Sequence, residues 1–232
     1  MQQHRNLLIP DTLADVCNPD RMALVVFDMQ VGVVEQLEDG RQVTERVGRV
    51  LEAARQAGVR VFFTRHMTLP TELMGISQLR MWMAWQRKDR VGDVDSPFLR
   101  DSPGFGIVPE LAPRESEAVF DKLSMSAFEG TPLEFALRDS QVTAFAIVGI
   151  ATEVGIEPTA RHGADLGLIP VVVTDACGAG NPSAAKRSLD VLATAGDAML
   201  TDISTITGLL VQTTTSGARQ RGMRRAPQEV SR

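Results

Sequence analysis

An α/β fold is what this chain of 232 residues predicts: three layers, with helices on both faces of a mostly parallel sheet of about six strands. Three observations carry that expectation. Short apolar runs such as Met22–Phe27 (MALVVF) and Ile169–Thr174 (IPVVVT) are continuous rather than alternating. Strands of that kind are buried on both faces, as in a parallel sheet covered by helices. Longer stretches of helical periodicity separate the runs, and glycines or capping residues mark the joins. A β–α–β alternation with right-handed crossovers then closes into a Rossmann-like three-layer α/β/α sandwich.

The elements follow in chain order. Met22–Phe27 is the first buried strand. A helix is expected over Gln42–Ala57, with Val43, Val47, Val50, Leu51 and Ala54 apolar and Gly58 as its stop signal. Val59–Thr64 is the second strand and Ala118–Phe120 a short third. Thr131–Ser140 is a helix, with Thr131 as N-cap and Pro132 at its first position. Val142–Ile150 is the fourth strand, Glu153–Leu166 a helix ended by Gly167, and Ile169–Thr174 the fifth strand. Pro182–Ala195 is helical and Ala198–Thr201 is a short sixth strand. Residues 67–108 break the alternation. This segment carries Met74, Met81, Trp82, Met83, Trp85 and Phe98, with a helix expected around Ile76–Lys88. It packs on the body or on a partner subunit, or it walls a pocket as a lid; adaptable Met and aromatic side chains suit the last role. The expected organisation is an N-terminal extension (1–20), one domain (21–215) with 67–108 inserted, and a polar, arginine-rich tail (216–232).

Composition excludes several classes of function. A net charge of −5 supplies no basic face for nucleic acid. Two cysteines, Cys17 and Cys177, make no disulfide framework and fit a reduced, cytoplasmic setting. No apolar run approaches the roughly 20 residues that span a bilayer, and the start of the chain lacks a secretory core. No cofactor is expected: neither a phosphate-binding loop nor a dinucleotide fingerprint occurs, and Gly178-Ala179-Gly180 reads as a loop. No metal site is expected either. His66 stands alone after the second strand, and its spacing with His4 and His162 has no ligand logic.

In sheets of this class the site lies beyond the C-terminal strand ends. Asp28 ends the first strand, Lys122 ends the third, and Gly155 opens the helix after the fourth. Singly, each has an ordinary reading: a turn aspartate, a surface lysine in a salt bridge, a glycine for close packing. Together they bring a carboxylate, an ammonium and a helix start to one edge. A lysine beside an aspartate keeps the carboxylate ionised and able to take a proton. His66 lies at the same edge, and Arg65 is able to hold a substrate carboxylate as a bidentate pair. His162 reads as structural.

Val26-Phe27-Asp28-Met29-Gln30, then Lys122-x-x-x-Ser126-Ala127-Phe128, then Gly149-Ile150-Ala151-Thr152 before a helix, then Val172-Val173-Thr174-Asp175-Ala176-Cys177, resemble the isochorismatase-like (cysteine hydrolase) superfamily in order and over most of the chain. The resemblance implies a hydrolase of small molecules, with Asp28 as general base and Lys122 orienting it and stabilising developing negative charge. It implies an oxyanion hole from the N–H groups of Ala151 and Gly155, and a cis Ile150–Ala151 bond. It also implies a homo-oligomer, dimer or tetramer. Expected pocket residues are Gln30, Arg65, His66 and Trp82, together with Trp85, Phe128 and Thr152. Gly155 is the departure, because most members carry a nucleophilic cysteine there. Glycine cannot form a thioester, so the resemblance implies Asp-assisted attack by water, or proton transfer, on an amide, ureide or enol ether. It also leaves room for a water or a substrate group. Cys177, at the same edge of the sheet, reads as a structural thiol rather than a substitute nucleophile. The competing reading is a binding protein that kept the pocket and lost the chemistry.

Overall fold

A computed structural model describes residues 1–212; the expected tail over 216–232 lies outside the described residues. Two short strands, β1 (Gln2–His4) and β2 (Leu7–Ile9), pair antiparallel ahead of the main sheet. The six apolar runs follow as β3 (Met22–Phe27), β4 (Arg60–His66), β5 (Ala118–Lys122), β6 (Ala144–Gly149), β7 (Ile169–Cys177) and β8 (Met199–Thr201). They form one sheet in the order β5–β4–β3–β6–β7–β8, with every pairing parallel. The chain steps outward from β3 to β5, then returns to β6 and steps the other way. The order therefore reverses between β3 and β6, where such sheets open a crevice beyond their strand ends.

Strand alternation divides the core. Met22, Leu24 and Val26 of β3 face one side, and Ala23, Val25 and Phe27 face the other; all six are buried. On the first side lies α3 (Gly40–Ala57), which follows the short helices α1 (Leu13–Val16) and α2 (Val31–Val34). Its buried stripe is the expected one, and Gly58 closes it in the left-handed conformation at φ +76°. A helical segment over 203–212 packs on this side through Ile203, Ile206 and Leu210. The other face holds α5 (Leu133–Asp139), α6 (Glu157–Asp165) and α7 (Pro182–Ala195), which come after α4 (Ile76–Gln86) in the chain. Among the described residues, no helix is long and apolar enough to cross a membrane.

The structure differs from the expected boundaries in instructive ways. β4, β5 and β7 run two or three residues further at their C-terminal ends. Their ladders are made by backbone groups, which pair whatever the side chain, so Arg65, His66, Asp121 and Lys122 remain in register. Helix α5 starts after Pro132, and Thr131 is not its N-cap, although the Thr131 hydroxyl accepts the Leu133 N–H. The helix expected from Glu153 begins as a π-helical turn, Thr152–Ile156, before α6. Residues 67–108 pack on their own body. Val31 and Gly32 donate to the carbonyls of Gly106 and Gly104, and Met74, Trp82, Val94, Phe98 and Phe105 form a separate small core.

Candidate active site

Asp28 leaves β3 with φ +49°, a left-handed conformation that aspartate tolerates better than most residues. The residue is buried at 5% exposure, and its carboxylate is held from two strands. The Lys122 Nζ donates to Oδ2 at 2.7 Å. The Thr64 hydroxyl donates to Oδ1 at 2.6 Å and accepts the Asp28 N–H at 3.2 Å. Lys122 reaches Asp28 from β5 across the end of β4, and its ammonium also donates to the Ser124 carbonyl at 3.1 Å. The Phe27 ring lies 4.3 Å from the same nitrogen, within cation–π range. His66, in register with Lys122 on the adjacent strand, is buried. Burial, reinforced by the Lys122 charge, pushes its pKa down to about 4, so it is neutral at pH 7.

Above this pair opens a cleft of about 880 Å³. Asp28, His66 and Lys122 line its buried end. Trp82, Trp85 and Phe98 supply an aromatic wall, and Ile150, Ala151 and Val154 an opposite one. The inserted segment is therefore part of the site: the Trp82 and Phe98 rings pack 6.2 and 6.1 Å from that of His66. Lys88 and Asp95 add charge to the lining.

The Ile150–Ala151 peptide is cis. The N–H groups of Val154, Gly155 and Ile156 converge on the Ala151 carbonyl at 3.3, 3.0 and 3.1 Å. Of the two oxyanion donors expected, Gly155 is thus committed within the π-turn, whereas the Ala151 N–H has no acceptor among the described residues. The expected room above Gly155 is absent. A Cβ there would lie 2.3 Å from Cε1 and from Cζ of Phe27, and 3.3 Å from the Met125 carbonyl oxygen.

Four expected pocket residues lie elsewhere. Arg65 alternates to the opposite side of β4 from Thr64 and His66, pairs with Asp121 at 2.7 Å and stacks on Phe105. Gln30 is fully buried; its amide donates to the His66 and Phe105 carbonyls and its oxygen accepts the His66 N–H, so it fastens the insertion to the strand end. Phe128 packs on Phe145 and His162 in the core. Thr152 ties its hydroxyl to the Gly178 carbonyl. Cys177 points away from the cleft: burial pushes its thiol up to about 12 and it contacts the Ile147 carbonyl. Cys17 is buried and Cys177 partly so, and His162 bonds Ser126 at 2.9 Å. Among the described residues, no group of three or more His, Cys, Asp or Glu side chains is arranged to hold a metal.

Sequence reasoning missed Thr64 and Phe27. Period-two alternation on β4 was signal enough for Thr64, since it shares a face with His66. Phe27 carried no local signal, because its partner lies 128 positions away and meets it only in the folded sheet.

Comparison with known proteins places the chain by family and by fold. An uncharacterized isochorismatase family protein, YecD of Escherichia coli O157:H7, is 29% identical over 184 residues, covering 75% of this chain and 88% of its own. The ureidoacrylate amidohydrolase RutB of Acinetobacter baylyi is 25% identical, covering 73% and 76%. In fold, the chain resembles the crystal structure of a cysteine hydrolase from Pseudomonas syringae pv. phaseolicola, with a TM-score of 0.72 at 24% identity over 84% of this chain and 95% of that one. The isochorismatase domain profile matches residues 22–204, which span the whole parallel sheet and every residue that lines the Asp28 cleft, and the chain belongs to the isochorismatase family.

Proposed function

We propose that this chain is a hydrolase of small molecules bearing an amide, ureide or enol-ether bond, in which Asp28 moves the proton and no covalent enzyme intermediate forms. The observation that carries the reading is the buried Asp28–Lys122 pair at the end of the cleft, 2.7 Å apart, beside a residue 155 that has no side chain. In this reading Gly155 takes the place that the family resemblance gives to a nucleophilic cysteine.

The Lys122 ammonium holds one oxygen of Asp28 and the Thr64 hydroxyl fixes the other. On an amide or ureide, Asp28 takes a proton from a water as the water oxygen bonds to the carbonyl carbon. The carbonyl electron pair moves onto oxygen, facing the free Ala151 N–H. Collapse breaks the C–N bond, and the leaving nitrogen recovers the proton from Asp28. On an enol ether, Asp28 first takes a proton from solvent and delivers it to the vinyl carbon; water adds to the resulting cation and returns a proton to Asp28. The hemiketal then collapses, the C–O bond breaking to leave a carbonyl compound as the departing alcohol oxygen takes up that proton. Trp82, Trp85 and Phe98 suit a compact substrate with an apolar or planar body.

The test is turnover of a panel of small amides, ureides and enol ethers by the purified chain and by Asp28→Asn. Loss of 10²-fold or more, the usual contribution of a positioned acid or base, is expected. Undiminished turnover in Asp28→Asn sinks the assignment. Tight binding without turnover across the panel favours the competing reading, a binding protein.

A further inference from the structure

We propose that Phe27 is the residue that closes the covalent route in this chain, and that Phe27 and Gly155 are a matched pair neither of which tolerates change alone. The ring of Phe27 occupies the volume into which any side chain at 155 would grow. The approach of 2.3 Å to two ring carbons is far inside the contact distance of real carbon atoms. The ring is also fixed around its edge and face. Phe27 is 1% exposed, packs in the α5–α6 side of the core, and has the Lys122 ammonium 4.3 Å from its centroid. The Met125 carbonyl oxygen also lies 3.3 Å from a Cβ at 155. Both Phe27 and Gly155 line the cleft. A side chain forced in at 155 would drive the ring there, away from Lys122 and over the very place where a new thiol would act. The chemistry available at this site is therefore set by two residues on different elements, Phe27 on β3 and Gly155 in the π-turn, and restoring a thiol at 155 alone yields no accessible nucleophile.

This deepens the proposed function in what it says of mechanism, and it is tested without any substrate, so the two fail separately. Four proteins suffice for stability: the parent, Gly155→Ala, Phe27→Val and the double variant. Overpacking of a filled core lowers the melting temperature of Gly155→Ala by about 2–12 °C, Phe27→Val lowers it through a cavity, and the double variant recovers at least half of the summed loss. Additive losses overturn the pairing. Reactivity provides the second measurement. Phe27→Val/Gly155→Cys is alkylated at 155 by iodoacetamide at least 10-fold faster than Gly155→Cys, followed by peptide mass. A single Gly155→Cys variant that melts with the parent and alkylates as fast as the double overturns the proposal. If that single variant does not fold, the Gly155→Ala cycle decides.

Discussion

Removing the Lys122 ammonium while keeping its bulk, as in Lys122→Met, isolates the electrostatics of the site. Lys122 is 2% exposed and Asp28 5%, so the lost cation leaves a carboxylate in an apolar surround with only the Thr64 hydroxyl and no counter-charge. Breaking a buried pair from one side costs about 3–5 kcal/mol. For a domain of this size that is a fall in melting temperature of about 6–20 °C. The reciprocal Asp28→Leu strands the ammonium and carries a similar cost. Removing both charges is different in kind. Replacing a buried ion pair by apolar residues of like volume is often neutral or stabilising, less about 1 kcal/mol for a Thr64 hydroxyl that loses its acceptor. Lys122→Met/Asp28→Leu is therefore expected within about 2 kcal/mol of the parent, against a sum of single losses of about 6–10 kcal/mol. Urea unfolding followed by circular dichroism at pH 7 measures all three. A Lys122→Met loss below about 1 kcal/mol, or a double variant as unstable as the sum, refutes the reasoning. Near-neutrality of the double would mean that the pair is not there for stability, which leaves its chemistry as the physical reason for burying it under a cleft.

Two further outcomes follow from the titrating groups. The pKa of His66 falls from 6.5 to about 4 on folding, so between those values the unfolded chain binds the proton that the folded one refuses. Stability is full above about pH 6.5 and declines by about 3 kcal/mol as pH falls to about 4; His66→Gln should flatten most of that slope in unfolding curves taken from pH 7 to 4.5, and an unchanged slope assigns it elsewhere. Burial pushes the thiols of Cys17 and Cys177 up to about 11 and about 12, so neither is a thiolate at neutral pH; the folded protein should take up no iodoacetamide at pH 7.5, Cys177→Ala should leave turnover intact, and rapid labelling of Cys177 would contradict its packing.

The strands and the helices over 40–57 and 182–195 were legible because burial writes itself into composition. A strand covered on both faces has no polar position to spare, and helix α3 repeats its apolar residues on one stripe. What escaped lies where that link breaks. The N-terminal hairpin is exposed throughout, so no burial pattern marks it. Strand β7 runs past Thr174 and Asp175 because a register shift after Ile147 lets Cys177 pair with Gly149. A shift of that kind depends on the partner strand, not on the strand's own residues. The π-turn at Thr152–Ile156 rests on three amides sharing the Ala151 carbonyl, a geometry that no periodicity announces.

The site divides along the same line. Asp28 and Lys122 could be brought together from order alone, since topology sends successive strand ends to one edge. Depth along that edge was not legible, and it decided the fate of Arg65, Gln30, Phe128 and Thr152. Each sits within three residues of the cleft in sequence, yet strand alternation, a hydrogen bond to backbone or packing in the core turns it elsewhere. Gly155 shows the limit most clearly. Its lack of a side chain excludes a nucleophile at once, which is chemistry read from one letter. Whether that lack leaves a space is a property of another element, strand β3, whose Phe27 fills it. An absent side chain thus says what a position cannot do; what stands in its place is decided by whichever neighbour the fold brings to it.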